Sequence, residues 1–550
     1  MKILIIGAVA AGTSAAAKAR RNNDFAEIVV YEKDRHISYS GCGLPYYIGN
    51  DVTDMDELTP RDPEFFKKKY NVDIKTGHEV LKIDKENKEL LVVDYDSGET
   101  FIDSYDALII ATGAKSFVPD IAGNNKEHVF TLRNVQSALD IKTFLDSKNP
   151  KEIVIVGSGF IGLELLENLV CSEYKVTIIE KLPTLTPNLD SEMAIYLENQ
   201  LQKKGIKIIT GNYVTEIKKE SVILADGRSL PADMVVLATG IIPETKLAKD
   251  AGVETGETGA IKVNKKMQTN LSGIFACGDC IETFSVITGK PVYHPLGSTA
   301  NKTGRIAGDV VTGGELEYKG NLGTGIYRVF DLTVAATGLT ERQALQEGYE
   351  IIVNHNTKPD RPAYFRGEEM IIKVVADKKN KRILGVQIIG GRGSDKRLDI
   401  FVTLITCKAT VDELFHLDLA YAPPFSTTKD PVHYSGMILD NAINRERRLI
   451  RAEEIRQDRD NLQIIDTRSK EDYESKGFVE GAIHIPHQEI RNRLSELDPN
   501  KKTVTYCNKG TTGNAVQNIL LQNGFTKVYN LSGGHSFYKE SFKKEENDTL

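Results

Sequence analysis

The sequence predicts an α/β protein of several domains, on three observations. Short Val- and Ile-rich runs alternate with helical stretches, the pattern of parallel sheets with crossover helices. A strand–glycine turn–helix–strand unit opens the chain, and a second copy begins 150 residues later. A separate small α/β segment closes the chain after a charge-dense stretch, Asn441–Arg459. Length agrees, because 550 residues at roughly 150 per domain make three or four domains.

The first unit runs from Lys2–Ile6 through a glycine turn and a helix to Arg21, then a strand ending at Glu32. Its apolar start, I-L-I-I-G-A-V-A-A-G, also resembles a secretory signal, but cleavage after Ala17 would cut the unit in two. We therefore read it as a buried strand and an alanine-rich helix, and expect a cytoplasmic protein. No run of 18 apolar residues occurs, so no membrane span is expected. Six cysteines in 550 residues are too few for a disulfide framework. With 70 basic against 77 acidic residues and no Trp, nucleic acid is not an expected partner.

Glycines between strand and helix let a backbone approach a pyrophosphate at the helix N-terminus. The second unit has all three, Gly157, Gly159 and Gly162, with Glu180 ending its next strand. A carboxylate there accepts from a ribose 2′-hydroxyl and repels a 2′-phosphate, favouring NADH; the adjacent Lys181 leaves NADPH possible. The first unit keeps Gly7 and Gly12 but has Val9 at the middle position, followed by Glu32–Lys33. A strand ending in A-T-G follows each unit, at Ala111–Thr112–Gly113 and at Ala238–Thr239–Gly240. Two such folds suggest a flavin and a nicotinamide. On this reading Gly7, Val9, Gly12, Glu32, Lys33, Ala111, Thr112, Gly113 and Asp279 hold FAD. Gly157, Gly159, Gly162, Glu180 and Gly240 hold NADH.

Cys42 lies between two glycines in S-Y-S-G-C-G-L-P-Y and is expected at the start of a helix, where a thiol pKa falls. From here the order of elements resembles the flavin disulfide reductases of the glutathione reductase type. Those carry two cysteines separated by four residues; here the first would fall at Ile37. With one sulfur, Cys42 cycles either as a mixed disulfide with a small thiol or as a sulfenic acid. The first describes coenzyme A disulfide and persulfide reductases, the second NADH oxidases and peroxidases. Both resemble residues 1–440. The peroxidase branch places a His where this chain has Ala10, and the coenzyme A branch shows G-A-V-A, as here. The resemblance implies a homodimer in which Tyr421 and Tyr364 of one subunit approach Cys42 of the other. It implies Ser38 and Tyr39 at the pantetheine end, with coenzyme A as substrate or as an adduct on Cys42. Basic candidates for the coenzyme A phosphates are Arg20, Arg21, Arg61 and Lys67–Lys69. Cys277 and Cys280 form C-x-x-C with no second pair, so they are read as structural and no metal site is expected.

The tail I-I-D-T-R-S-K-E-D-Y-E, then V-T-Y-C-N-K-G-T-T-G, resembles a rhodanese sulfurtransferase. Cys507 opens a loop whose N–H groups form a nest for an anion or a persulfide, and Lys509 adds positive charge to bind substrate. Many rhodaneses have an Arg near Thr512; this chain lacks it.

The expected architecture is two Rossmann-like FAD/NAD(P)-binding domains, an α+β dimerisation domain and a C-terminal α/β rhodanese domain. The expected bounds are 1–114 and 249–322 for FAD, 115–248 for NAD(H), and 323–440 for dimerisation. A helical linker at 441–455 and the rhodanese unit at 456–550 complete the chain. The resulting expectation is an NADH-dependent reductase of coenzyme A persulfide or disulfide, coupled to sulfur transfer. An oxidase or peroxidase, or a non-catalytic sulfur sensor, are the alternatives.

Overall fold

A computed structural model describes residues 1–542; the last eight residues of the expected rhodanese unit lie outside the described residues. The chain forms two compact units, 1–183 with 209–323, and 184–208 with 324 onward.

In the first unit, β1 (Lys2–Ile6), α1 (Ala10–Asn22) and β2 (Glu27–Glu32) form the opening motif. The five residues of β1 bury almost completely, because parallel neighbours cover both its edges and helices its faces. Its sheet runs Ile274–Ala276, Ala107–Ile110, β1, β2, Asp73–Thr76, with every pairing parallel. The alanines of α1 have a packing reason. A Cβ on Gly304 or Gly308 of the helix Gly297–Val310 would stand 2.2 Å from the carbonyl oxygen of Ala11 or Ala15. Two backbones in contact leave no room for larger side chains. That contact brings the turn Gly278–Cys280 beside α1, and with it Asp279. After β2 the chain reaches Cys42 and the one-turn helix α2 (Leu44–Ile48).

The second copy is β3 (Glu152–Val156), α3 (Phe160–Cys171) and β4 (Lys175–Glu180). Its sheet runs Lys207–Thr210, β4, β3, Met234–Leu237, Val129–Phe130. The duplication extends to single hydrogen bonds. Gly7 N donates to Tyr31 O at 2.8 Å, and Gly157 N to Ile179 O at 2.8 Å. Both glycines sit at positive φ, 103° and 101°, which a side chain would strain.

The second unit begins with α4 (Ser191–Lys203), which packs with residues 324 onward although it falls inside the expected NAD(H) span. Its antiparallel sheet contains β5 (Ile351–Pro359), β6 (Glu369–Asp377) and β7 (Ile383–Gly390), in the order Gly325–Val329, Leu332–Gly338, β7, β6, β5. The helix Ser394–Thr406 packs on β7, and α5 (Pro431–Asn444) on β5.

The stretch expected as one helical linker is three pieces. Helix α5 ends at Asn444, Leu449–Ile450 form β8, and a helix spans Ala452–Asp458. Arginine-dense composition reads as helix, but the adjacent apolar pair Leu449 and Ile450 joins a sheet instead. That sheet runs β8, β11 (Val528–Leu531), β10 (Lys502–Tyr506), β9 (Leu462–Asp466), Ile483–His484, parallel throughout. Among the described residues no helix is long and apolar enough to cross a membrane, and no cluster of three or more His, Cys, Asp or Glu could hold a metal.

Candidate active site

The expected cofactor residues gather at the C-terminal ends of the parallel strands, where open α/β sheets bind ligands. Glu32 accepts from Ala8 N at 2.7 Å and from Asp34 N at 3.0 Å. Glu180 accepts from Ser158 N at 2.9 Å, Ser158 Oγ at 2.7 Å and Leu182 N at 2.8 Å. Each carboxylate thereby locks its glycine loop and keeps lone pairs for a ribose. A Cβ on Gly159 would meet nothing within 4 Å, so the cradle before α3 has room for a group that is not protein. Gly240 faces open space likewise. In the first copy Val9 stands at the start of α1, and no side chain caps that helix. Ala111 and Thr112 end their strand beside Gly7, with Ala111 N donating to Ile6 O at 2.8 Å. Asp279 Oδ2 lies 3.1 Å from Arg133, and burial raises its carboxyl while Arg133 pulls the other way. Arg133 was not legible in the sequence. The donor and acceptor set fits FAD in the first copy and a nicotinamide dinucleotide in the second.

Cys42 occupies a tight turn, Gly41–Gly43, ahead of α2. The expectation of a lowered thiol pKa is corrected here. Although one side of Cys42 is open to solvent, the protein around it raises the thiol, Glu164 and Asp279 add to the rise, and Arg133 opposes it. Five residues of α2 carry too little dipole to outweigh that burial and two carboxylates. Glu164 lies on α3, which packs on α2; burial, with Glu167 adding, pushes its carboxyl up to about 7. A glutamate on an amphipathic helix gives no sequence signal of this kind. Glu164→Gln removes a negative neighbour of the thiol. Its alkylation-versus-pH curve at Cys42 should therefore move to lower pH, by about half a unit. A curve that stays in place would show that Glu164 does not act on Cys42.

An open pocket of about 550 Å³ is lined by Arg21, Ser38, Tyr39, Arg61, Phe65 and Arg305, among others. Ser38 is held at φ 49°, an unusual conformation for serine, by its N–H bond to Ala8 O at 2.9 Å. Arg61 sits 5.7 Å from the centroid of the Phe65 ring. Arg20, expected here, is only 6% exposed and turns inward. It donates to the carbonyls of Asn23, Asp24, Ala26, Tyr70 and Asn71, tying α1 to the loops around it. Sequence cannot tell which of two adjacent arginines faces out. Lys67 and Lys68 are exposed and paired with Asp73 and Glu64, a solvated face outside this pocket. Arg20→Met should cost about 2–4 kcal/mol of stability by stranding buried carbonyls. Arg21→Met should leave the melting temperature in place and raise the KM for a phosphate-bearing substrate about fivefold. The reverse pattern would sink both assignments.

Tyr364 and Tyr421 belong to the second unit and are 72% and 49% exposed, on its surface. Cys277 and Cys280 are wholly buried in the core of the first unit, as free thiols.

The C-terminal cysteine, Cys507, directly follows β10. His535 N donates to Cys507 O at 2.9 Å and Ser536 N to Asn508 O at 3.0 Å, which curls the loop. Helix α6 (Thr511–Gln522) starts at the loop's far side after Gly510 (φ 85°), with no capping side chain, so its N-terminus faces the nest. Arg468 braces the loop through Asn508 Oδ1 at 3.3 Å and is itself paired with buried Asp466. Lys509 does not stand free for substrate, because it is ion-paired with Glu369.

This fold and site define a two-dinucleotide oxidoreductase with an attached sulfurtransferase-like module, and comparison with known proteins agrees. Residues 1–304 match the pyridine nucleotide-disulphide oxidoreductase model, 326–431 its dimerisation domain and 451–541 the rhodanese-like domain. The chain belongs to the pyridine nucleotide-disulphide oxidoreductase family. A solved structure described as reduced CoADR-RHD from Bacillus anthracis is 36% identical, with a TM-score of 0.96 over 98% of both chains. An NAD(P)H coenzyme A polysulfide/persulfide reductase of Pyrococcus horikoshii is 37% identical over 80% of this chain and 98% of its own. A Methanocaldococcus jannaschii protein named NADH oxidase is 35% identical over 78% of this chain and 97% of its own.

Proposed function

We propose that this protein uses NADH and FAD to reduce coenzyme A persulfide and coenzyme A disulfide through Cys42, as a homodimer. The observation that carries the reading is a solitary thiol with Ile37 in place of a partner cysteine, beside a pocket lined by three arginines. The arginines suit the phosphates of coenzyme A, and the Pyrococcus relative bears that substrate in its name. The matched dimerisation domain supports the dimer. The carboxylate of Glu180 favours NADH over NADPH.

The Cys42 thiolate attacks the inner sulfur of the persulfide. The S–S bond breaks, hydrosulfide leaves, and coenzyme A stays on Cys42 as a mixed disulfide. FAD and NADH, when bound, would supply the electron pair that cleaves that mixed disulfide. Arg21, Arg61 and Arg305 hold the phosphates, and Tyr421 of the second subunit, with Tyr364, gives a proton to the departing coenzyme A thiolate. Glu32, Asp279 and the loop of Gly7, Val9 and Gly12 would hold FAD; Glu180 and the loop of Gly157, Gly159 and Gly162 would hold NADH. Mass spectrometry of the isolated protein tests the reading, with a coenzyme A adduct expected on Cys42. A Cys42 found only as free thiol or sulfenate would overturn it. The oxidase reading has the Methanocaldococcus name in its favour. It predicts NADH oxidation by oxygen or peroxide faster than by coenzyme A persulfide, and Ala10 in place of a histidine argues against it.

Cys507 carries sulfane sulfur in the C-terminal module. Cys507→Ser should lower thiosulfate-to-cyanide sulfur transfer at least ~100-fold and leave coenzyme A disulfide reduction within about twofold. Full transfer in that variant would remove Cys507 from the reaction.

A further inference from the structure

The loop that begins at Cys507 is not closed by its own domain. Cys507 is 7% exposed, and two strands of the dimerisation-domain sheet stand at the loop's mouth. Lys358, one residue from the end of β5, donates to Thr511 Oγ1 at 3.1 Å, on the first residue of α6. The same ammonium sits over the Tyr434 ring of α5, 4.3 Å from its centroid. From the paired strand β6, Glu369 takes the charge of Lys509. The two lysines therefore differ. Lys509, the cation that the loop sequence offers, is neutralised by a carboxylate. No carboxylate among the described residues pairs with Lys358. Burial lowers the pKa of Lys358 and nearby Lys509 adds to that, while Cys507 and, more weakly, Glu369 oppose it.

The chemistry of the site needs such a charge. The Cys507 thiolate attacks the outer sulfur of an anionic donor, thiosulfate or a persulfide RSS⁻. The donor S–S bond breaks, sulfite or RS⁻ leaves with the bonding pair, and an S–S bond forms on Cys507, with no net change of oxidation level. Thiolate and donor are both negative, and in a site this enclosed their repulsion is poorly screened. The chain has no arginine near Thr512 to offset it.

We propose that Lys358, supplied by the dimerisation domain, is the anion-binding residue of the sulfur-transfer site and makes that site selective for negatively charged sulfane donors. The proposal rests on Cys507 being the sulfur carrier, but it makes a separate statement about charge at that sulfur. It is tested on the reduced full-length protein by labelling with iodoacetate, an anion, and iodoacetamide, a neutral analogue, with rates read peptide by peptide. The ratio of the two rates at Cys507 reports the local charge and requires no turnover. Lys358→Met removes the charge while keeping a side chain of similar length, and should lower the ratio at Cys507 about fivefold, leaving the ratio at Cys42 unchanged. Lys358→Arg should retain the wild-type ratio. Thr511→Val, which frees the ammonium but leaves it in the chain, should lower the ratio about twofold and serves if the methionine variant does not fold. A Lys358→Met ratio equal to wild type overturns the proposal, as does an equal fall at Cys42. Retained sulfur transfer in Cys507→Ser would instead sink the carrier reading, and the labelling ratios would still stand or fall by themselves.

Discussion

Cys42→Ser should abolish NADH-dependent reduction of coenzyme A persulfide and disulfide, with a fall of about 10⁴-fold or more in kcat/KM. The size follows from the absence of a substitute. Cys171 is on α3, Cys277 and Cys280 are sealed in the core, and Cys407 and Cys507 belong to the other unit. Serine is nearly isosteric and Cys42 is open to solvent on one side, so the folded protein and its flavin binding should survive the change. The measurement is NADH consumption with each substrate, beside the visible spectrum of the variant. Yellow, folded protein with undiminished turnover would show that the sulfur chemistry takes place elsewhere.

The second large effect is on stability. Lys373, on β6, is fully buried, with its ammonium 2.9 Å from Asp190 and 2.9 Å from Glu341 and paired also with Glu192. Glu192 reaches His355 Nε2 at 3.0 Å, and Glu341 is paired with Arg451. Burial works against the Lys373 charge, but three carboxylates outweigh it and hold the ammonium above its ordinary range. Burial would likewise raise Glu192, yet Lys373 and the His355 hydrogen bond hold it well below the usual carboxylate value. Lys373→Met strands these acids around an apolar side chain and should cost about 3–5 kcal/mol in urea unfolding at pH 7. A depressed carboxyl contributes stability above its unfolded pKa of 4.5 and loses it as the pH falls. The wild-type protein should accordingly lose the Glu192 contribution progressively below about pH 4.5. An unchanged midpoint in Lys373→Met would show that the acids find other partners or protonate at little cost.

What could be read beforehand and what could not divide along one physical line. The glycine loops, Glu32, Glu180, Cys42 and Cys507 are local features, in which a few consecutive residues impose a turn and the turn imposes the chemistry. Arg133 beside Asp279, Glu164 near Cys42 and Lys358 at Thr511 come together only through packing of elements distant in sequence. Each looks like an ordinary surface residue in its own segment. The thiol of Cys42 was misjudged for the same reason. Its own turn suggests a helix N-terminus, whereas burial by the surrounding elements, and then the carboxylates on α3 and in the turn at Asp279, raise its pKa. Arg20 and Arg21 show the limit at a single position, since one step along a helix separates a structural tie from a pocket wall.

Strand β8 has a practical consequence for anyone wishing to isolate the sulfur module. A fragment cut at 456, where composition changes, would leave Leu449 and Ile450 behind and strip the neighbour from one flank of Val528–Leu531. Unsatisfied amides along that bared flank invite pairing between molecules, and so precipitation. The seam between the two halves of this protein thus passes upstream of the visible joint, and a soluble excised piece has to begin before Arg448, whose carbonyl also receives Asn530 N at 2.9 Å.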